Sequence, residues 1–126
     1  IITSVDGDYT KKTVRDFVKM SFRHVGIELE FKGSGIQEKG IVSSCSNDEY
    51  QLEIGKTVVC VDPSYFRPTE VDVLVGDASK AKKKLGWVPE YNLKDLVSEM
   101  MDSDLQLMSK DQYLKQGGYT IKNYYE

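Results

Sequence analysis

Arg67 and Glu70, an arginine and a glutamate with Pro68 between them, are the residues whose types and spacing best suit ligand binding. A guanidinium donates two parallel hydrogen bonds to phosphate oxygens, and a carboxylate can accept from two neighbouring hydroxyls, such as a ribose cis-diol. Pro68 fixes a backbone dihedral, so less freedom is lost on binding. The pair can hold the phosphate and ribose of one nucleotide or form an internal ion pair at a bend. Spacing alone favours the ion pair.

A second candidate is the glycine-rich run from Gly33 to Gly40. It begins like a dinucleotide-binding turn, but Glu38 stands at the third glycine position and Gly40 disfavours the helix that should follow. Lys39 is followed by glycine instead of Ser or Thr, which excludes a Walker loop. Two interpretations remain open: a plain loop, or a loop that faces a substrate.

The remaining reactive side chains indicate ordinary structural roles. His24 is predicted near a helix end at the surface. Cys45 and Cys60 form neither a CxxC motif nor a disulfide framework, and are predicted to be reduced in a cytoplasmic protein. No metal site is expected. A lysine cluster is predicted to be a solvated helix face and not a phosphate site; it comprises Lys80, Lys82, Lys83 and Lys84.

Composition indicates one domain over residues 1–126, with 40% hydrophobic and 29% charged residues. The net charge of −3 argues against nucleic-acid binding, and no apolar run is long enough to span a bilayer. The sequence opens on Ile1 without a methionine or a signal peptide, which favours a fragment or a processed chain over an intact small protein.

Hydrophobic periodicity predicts an α+β fold with a small mixed sheet, a hairpin and three main helices. The predicted strands are Ile1–Val5, Ile27–Lys32, Ile41–Cys45 and a hairpin of residues 50–54 and 57–61 turning at Gly55-Lys56, with a short strand or extended segment at 73–75. Capping boxes predict helix starts at Thr13 with Asp16 and at Asn92 with Asp95.

Between them, Asp77 is predicted to cap a short helix that ends at Gly86 and turns Ala78, Ala81 and Leu85 inward. The last helix is predicted to end at Gly117-Gly118, and its apolar stripe is predicted to be core. That stripe comprises Leu93, Leu96, Val97, Met100, Met101, Leu105 and Met108.

Longer motifs resemble the C-terminal part of the extended short-chain dehydrogenase/reductase family, in particular its GDP-mannose 4,6-dehydratase branch. They are VDPSYFRPTEV at 61–71, GDASKA at 76–81 and LGWVP at 85–89, with the helix opening TVRDFV at 13–18 and the loop at 33–40. The resemblance runs from about residue 1 to 118. The GDxxKAxxxLGWxP block is shared with many sugar-nucleotide epimerases, whereas the YFRPTEV run and the EKG loop are more specific.

The resemblance implies a fold like the family's C-terminal domain and a role in binding GDP-mannose, with Arg67 and Glu70 contacting the GDP moiety. It implies that the whole enzyme uses NADP to oxidise C4, eliminates water across C5–C6 and returns hydride to C6, and that it is a homo-oligomer. Ser64 is a departure, because many members place a basic residue there.

A larger departure is the absence of the family's GxxGxxG turn and its Tyr-x-x-x-Lys pair. Four residues after Tyr9, Tyr50 and Tyr91 stand Thr13, Ile54 and Asp95. The chain is therefore predicted to lack the NADP-binding Rossmann half, to bind no cofactor and to be inactive alone. A fragment of a related epimerase and a free-standing, non-catalytic GDP-sugar binding module remain as alternatives.

Overall fold

The computed structural model describes residues 2–3, 11–66 and 77–121. Its helices are α1 (Val14–His24), α2 (Ser79–Leu85) and α3 (Leu93–Gln116). Its strands are β1 (Ile2–Thr3), β2 (Lys11–Lys12), β3 (Ile27–Lys32), β4 (Lys39–Cys45) and β5 (Thr57–Cys60). The predicted segment at 73–75 lies outside the described residues.

The α+β class is confirmed, with three helices beside a three-stranded sheet in the order β3-β4-β5. Both pairings in that sheet are antiparallel, as is the short β1–β2 ladder. The parallel pairing of a mixed sheet therefore does not occur among the described strands. β3 and β4 form the hairpin of this sheet, joined by the loop at residues 33–38.

Capping chemistry defines both long helices, as predicted. The hydroxyl of Thr13 accepts from the Asp16 amide at 3.1 Å, and the Asp16 carboxylate accepts from the Thr13 amide at 2.9 Å. The Asn92 side chain accepts from the Asp95 amide at 3.1 Å, and Asp95 accepts in return from the Asn92 amide. Each box satisfies amides that a helix N-terminus leaves without partners.

The core lies between the sheet and α1. β3 alternates as predicted, and its buried residues Ile27 and Leu29 join Val42 of β4, which is only 1% exposed. Partly buried side chains pack around these three, and they are Val18, Phe22, Val25, Phe31, Cys45, Leu52, Val58 and Val59. α3 packs on α1 and contributes Leu93 and Val97 as buried residues.

The predicted hairpin of residues 50–54 and 57–61 is wrong. β4 pairs instead with β5, with Lys39 opposite Cys60, and residues 50–53 have no strand structure. The Asn47 side chain accepts from the amides of Glu49 and Tyr50 at 2.7 and 3.0 Å, which turns the backbone away from the sheet. The turn at residues 54–55 leaves Ile54 73% exposed.

Smaller corrections concern α2 and α3. The N-cap of α2 is Ala78, and the Asp77 carboxylate accepts from the Ser79 amide at 2.9 Å. Gly86 ends α2 at a φ of 63°, as predicted, but Leu85 is 80% exposed instead of inward. Only Leu93 and Val97 of the predicted α3 stripe are buried, so the prediction that the whole stripe is core is wrong. No helix of the described residues has the length and apolarity needed to cross a membrane.

Candidate functional site

Arg67 and Glu70, the predicted ligand-binding pair, both lie outside the described residues. The structure does describe the approach to them, from Val61 to Phe66. Asp62 holds this approach in a turn: its carboxylate accepts from the Ser64 amide at 2.8 Å and from the Ser64 hydroxyl at 2.7 Å. These hydrogen bonds, the hydroxyl first, lower the pKa of Asp62 below its ordinary value. The chain therefore reaches Phe66 along a defined path.

The same turn includes two backbone hydrogen bonds. The Tyr65 amide donates to the Asp62 carbonyl at 3.2 Å, and the Phe66 amide donates to the Pro63 carbonyl at 3.3 Å. Tyr65 is 83% exposed and Phe66 is 40% exposed. Ser64 donates to Asp62 through both its amide and its hydroxyl, so it has a structural role within the turn.

The glycine-rich run comprises the β3–β4 loop and the start of β4. Its glycines stand where the backbone has a positive φ or where a neighbouring atom leaves little room for a Cβ. Gly33 has a φ of 88°, and a Cβ built on it would lie 2.5 Å from the Gln37 carbonyl oxygen. Gly35 has a φ of 57°. Gly40 belongs to β4, where a Cβ would lie 3.0 Å from Val59 Cβ on the neighbouring strand. The run ends in a strand and not in a helix, which agrees with its exclusion as a dinucleotide turn.

The loop and the Asp62–Phe66 turn meet at one end of the sheet. Lys39, the first residue of β4, pairs with Lys32 at the end of β3 and with Cys60 at the end of β5. The chain that leaves β5 therefore starts beside the loop. A Cβ built on Gly35 would lie 3.8 Å from Phe66 Cζ, so the Phe66 ring lies against the loop.

Arg15, a residue that the sequence did not single out as functional, joins α1 to this loop. Its Nε donates to the Glu38 carboxylate, and this hydrogen bond, with the Glu38 charge, raises the pKa of the Arg15 guanidinium. The Glu38 side chain is 19% exposed, the least exposed carboxylate of the described ion pairs. Arg15 Cζ and Lys19 Nζ lie 5.8 and 5.6 Å from the centroid of the Phe31 ring, within cation–π range.

These side chains border an open depression of about 470 Å³. It is lined by Arg15, Lys19, Leu29, Glu30, Phe31, Gly33 and Glu38. Two cations and two carboxylates offset each other, so the depression carries no excess charge to attract a phosphate. The arrangement suits the fixing of a loop better than it suits direct binding of an anion.

A second cavity of about 320 Å³ lies where α1 meets α3. His24 is near the end of α1, as predicted, but it also approaches α3: its Nε2 lies 2.7 Å from Asp102 Oδ1. The Arg23 guanidinium nearby makes two hydrogen bonds to the Glu28 carboxylate, at 2.7 and 2.9 Å. These contacts join neighbouring elements around the cavity, which is lined by Met20, Arg23, His24, Lys94, Val97 and Ser98.

Both cysteines lie in strands and the lysine cluster lies on a helix, as the sequence predicted. Cys45 and Cys60 are both free, and Cys60 pairs with Lys39 at the opposite end of β4 from Cys45. The four lysines of α2 are exposed. Within the part of the chain that the structure describes, no cluster of three His, Cys, Asp or Glu residues could hold a metal ion.

The described residues thus define a small α+β domain in which a loop and a turn meet at one sheet end. A family model described as GDP-mannose 4,6 dehydratase matches residues 5–100. The chain is 49% identical over 110 residues to a Vibrio cholerae protein and 49% identical over 111 residues to a Yersinia enterocolitica protein, both named GDP-mannose 4,6-dehydratase. A human protein named GDP-mannose 4,6 dehydratase is 44% identical over 96 residues.

The chain therefore belongs to the GDP-mannose 4,6 dehydratase family. The alignments cover 86% of the chain for each of the two bacterial relatives and 76% for the human one. They cover 30% of each bacterial relative and 23% of the human relative, so the chain spans less than a third of the proteins it matches.

Proposed function

We propose that this chain is the substrate-binding portion of a GDP-mannose 4,6-dehydratase and that it binds the GDP moiety of GDP-mannose. The observation that carries the proposal is the similarity of most of the chain to proteins of that name. Because it spans 30% of the bacterial relatives, the proposal assigns the catalytic residues and the NADP site to further polypeptide. The whole enzyme then forms GDP-4-dehydro-6-deoxy-mannose and water, acts as a homo-oligomer and is cytoplasmic.

Within this proposal Arg67 binds a phosphate of GDP and Glu70 binds the ribose hydroxyls. The chemistry of the two side chains supports these roles, since a guanidinium matches phosphate oxygens and a carboxylate accepts from paired hydroxyls. The described approach supports them as well, because the Asp62 turn fixes the chain up to Phe66, one residue before Arg67. A ligand-binding segment that starts from a fixed turn loses less freedom on binding.

The NADP site is assigned to further polypeptide because the loop at residues 33–40 does not fit a dinucleotide. A dinucleotide turn needs a glycine that opens a helix, with free amides at the helix N-terminus. Here Glu38 is paired with Arg15, and the chain continues into β4. The reaction chemistry is therefore not assigned to any residue of this chain.

Exposed apolar side chains support a chain that packs against further polypeptide. The segment between α2 and α3 exposes Trp87 by 43%, Val88 by 71% and Tyr91 by 65%. On α3, Met100 and Met108 are 44% and 56% exposed. Coverage of these large exposed apolar side chains by further polypeptide would remove them from water, which supports the proposal.

Titration calorimetry with GDP tests the site. Arg67→Ala is expected to weaken GDP binding by about tenfold or more, because a charge-assisted hydrogen bond is worth ~1.5–3 kcal/mol. Glu70→Ala is expected to weaken GDP binding but to leave pyrophosphate binding unchanged. Lys83→Ala, an exposed cation on α2, is the matched control. Unchanged GDP affinity in Arg67→Ala would remove Arg67 from the site.

A turnover assay tests whether the catalytic residues lie in further polypeptide. The chain alone, incubated with GDP-mannose and NADP, is expected to produce no 4-keto sugar, whereas the protein of the complete reading frame is expected to produce it. Keto-sugar formation by the chain alone would contradict the assignment of the catalytic residues to further polypeptide. GDP binding without turnover by the complete protein would favour the free-standing binding module.

A further inference from the structure

The ion pair between Arg15 and Glu38 joins two parts of the chain that are far apart in sequence. Arg15 lies in the first turn of α1, and Glu38 is the last residue of the β3–β4 loop. Glu38 is the more shielded partner, with 19% of its side chain exposed against 49% for Arg15. The contact therefore anchors the end of the loop to a helix that is itself held on the sheet.

The loop has little else to hold it. Two of its residues, Gly33 and Gly35, have positive φ, and glycine gives the unfolded loop a large choice of conformations. Its internal hydrogen bonds are two at 3.2 Å, from the Gln37 amide to the Ser34 carbonyl and from the Glu38 amide to the Gly35 carbonyl. A short turn of this type is weakly stabilised by its own bonds, so an anchor at Glu38 restricts it further.

What the anchored loop contacts is Phe66. Gly35 lies in the centre of the loop, and a Cβ built there would be 3.8 Å from Phe66 Cζ. The backbone of Phe66 is held by the Asp62 turn, in which the Phe66 amide donates to the Pro63 carbonyl at 3.3 Å. The turn therefore restrains the Phe66 backbone, and the loop contacts its ring.

We propose that Arg15 is a positioning residue for nucleotide binding. Through Glu38 it holds the β3–β4 loop against Phe66, and the loop fixes the position from which the chain leaves Phe66. Arg15 itself contacts no nucleotide. This inference rests on the proposed function, because it assumes that a nucleotide binds at this end of the sheet.

A second ion pair of the same kind provides a matched control. Arg23 and Glu28 also join α1 to the sheet, with the Arg23 Nε 2.7 Å from Glu28 Oε1. Glu28 stands near the start of β3, whereas the loop follows its end. Substitution of Arg23 or Glu28 removes an arginine–glutamate ion pair between α1 and the sheet but leaves the β3–β4 loop unchanged. The comparison therefore separates general effects on α1 and the sheet from an effect on Phe66.

The experiment is titration calorimetry with GDP on the protein of the complete reading frame. Arg15→Ala and Glu38→Ala are each expected to raise the Kd for GDP by about three- to tenfold, because small displacements of binding groups weaken the contacts they make. The double variant is expected to be no weaker than either single variant, since the two residues act as one unit. Arg23→Ala and Glu28→Ala are expected to leave the Kd unchanged.

Two further variants separate positioning from direct contact. The charge-exchanged protein, Arg15→Glu with Glu38→Arg, is expected to return to within about twofold of the unmodified Kd, because the anchor is restored with reversed polarity. If that protein fails to fold, Arg15→Lys provides the test: it keeps the charge without the guanidinium fork and is expected to lie between Arg15→Ala and the unmodified protein. Thermal unfolding of every variant is measured alongside.

The outcomes separate this inference from the function on which it rests. Unchanged Kd in Arg15→Ala and Glu38→Ala, with weakened binding in Arg67→Ala, overturns the positioning role and leaves the proposed function standing. Unchanged Kd in all three overturns both. A loss in Glu38→Ala that is absent from Arg15→Ala and that the charge exchange does not recover assigns Glu38 to the ligand and overturns positioning. If Arg23→Ala and Glu28→Ala weaken GDP binding as much as Arg15→Ala and Glu38→Ala do, the weakening is a general effect of fold stability, and the positioning role is also overturned.

Discussion

His24 Nε2 lies 2.7 Å from Asp102 Oδ1, and this contact joins the last turn of α1 to α3. The His24 side chain is 26% exposed and that of Asp102 is 63% exposed. This polar contact adds to the packing between the two helices, to which α3 contributes the buried residues Leu93 and Val97.

Loss of this contact is expected to weaken the protein slightly. Asp102→Asn is expected to lower the free energy of unfolding by about 0.5–1 kcal/mol, the range for a largely exposed polar pair. Urea unfolding measures the change. Asp104→Asn, an exposed position on the same helix, is the control and is expected to stay within ~0.5 kcal/mol of the unmodified protein. Equal effects of the two substitutions would contradict a specific role for His24.

The capping box of α1 is expected to make stability depend on pH. Hydrogen bonds from the Thr13 amide and hydroxyl lower the pKa of Asp16 below its ordinary value of 3.8. A carboxyl with a lowered folded-state pKa stabilises the protein above its unfolded-state pKa, and this contribution is lost as pH falls through the folded-state pKa. Asp16→Ala is therefore expected to destabilise by about 1 kcal/mol at pH 7.

The measurement is urea unfolding from pH 7 down to below 3.8, the ordinary pKa of the carboxyl. The difference between the unmodified protein and Asp16→Ala is expected to shrink across the acid end of this range. Asp48→Ala, at an exposed position between β4 and β5, controls for general effects of carboxylate removal. A difference that stays constant with pH would exclude the ionised carboxylate as its source.

Gly33 and Gly55 have nearly the same φ, 88° and 89°, but different surroundings. A Cβ on Gly33 would lie 2.5 Å from the Gln37 carbonyl oxygen, whereas one on Gly55 would meet nothing within 4 Å. Gly55→Ala is expected to cost about 1–2 kcal/mol for the left-handed backbone alone. Gly33→Ala is expected to cost more, because the loop must also move. Thermal unfolding of both variants checks the order, and the reverse order would contradict the loop geometry.

Val42, at 1% exposure the most deeply buried of the core residues, is expected to be sensitive to truncation. Val42→Ala removes two buried carbons and leaves a cavity in the core beside Ile27 and Leu29, so it is expected to cost about 2 kcal/mol. Val88→Ala makes the same change at a position that is 71% exposed, and is expected to cost less than ~0.5 kcal/mol. Equal unfolding free energies for the two variants would contradict the placement of the core.

The parts of the fold that were predicted correctly depend on neighbours in sequence. Thr13 with Asp16, and Asn92 with Asp95, are three residues apart, and a helix start is decided within that distance. Alternation in β3 identified its buried face for the same reason. Residues 50–54 also alternate, but they compete with β4 for pairing with β5, and β4 is the strand that pairs. The Asn47 side chain instead holds the chain at Glu49 and Tyr50 in a turn.

For the candidate site, the sequence identified Arg67 and Glu70 by chemical type and by a motif, and these assignments remain predictions. It also determined the family, because the motifs are local runs of residues. Only the tertiary structure brought Arg15 to Glu38, across 23 positions, and Gly35 to Phe66. No local sequence pattern predicts such contacts. They arise because antiparallel pairing brings the ends of β3 and β5 and the start of β4 together at one end of the sheet, and α1 packs on that sheet.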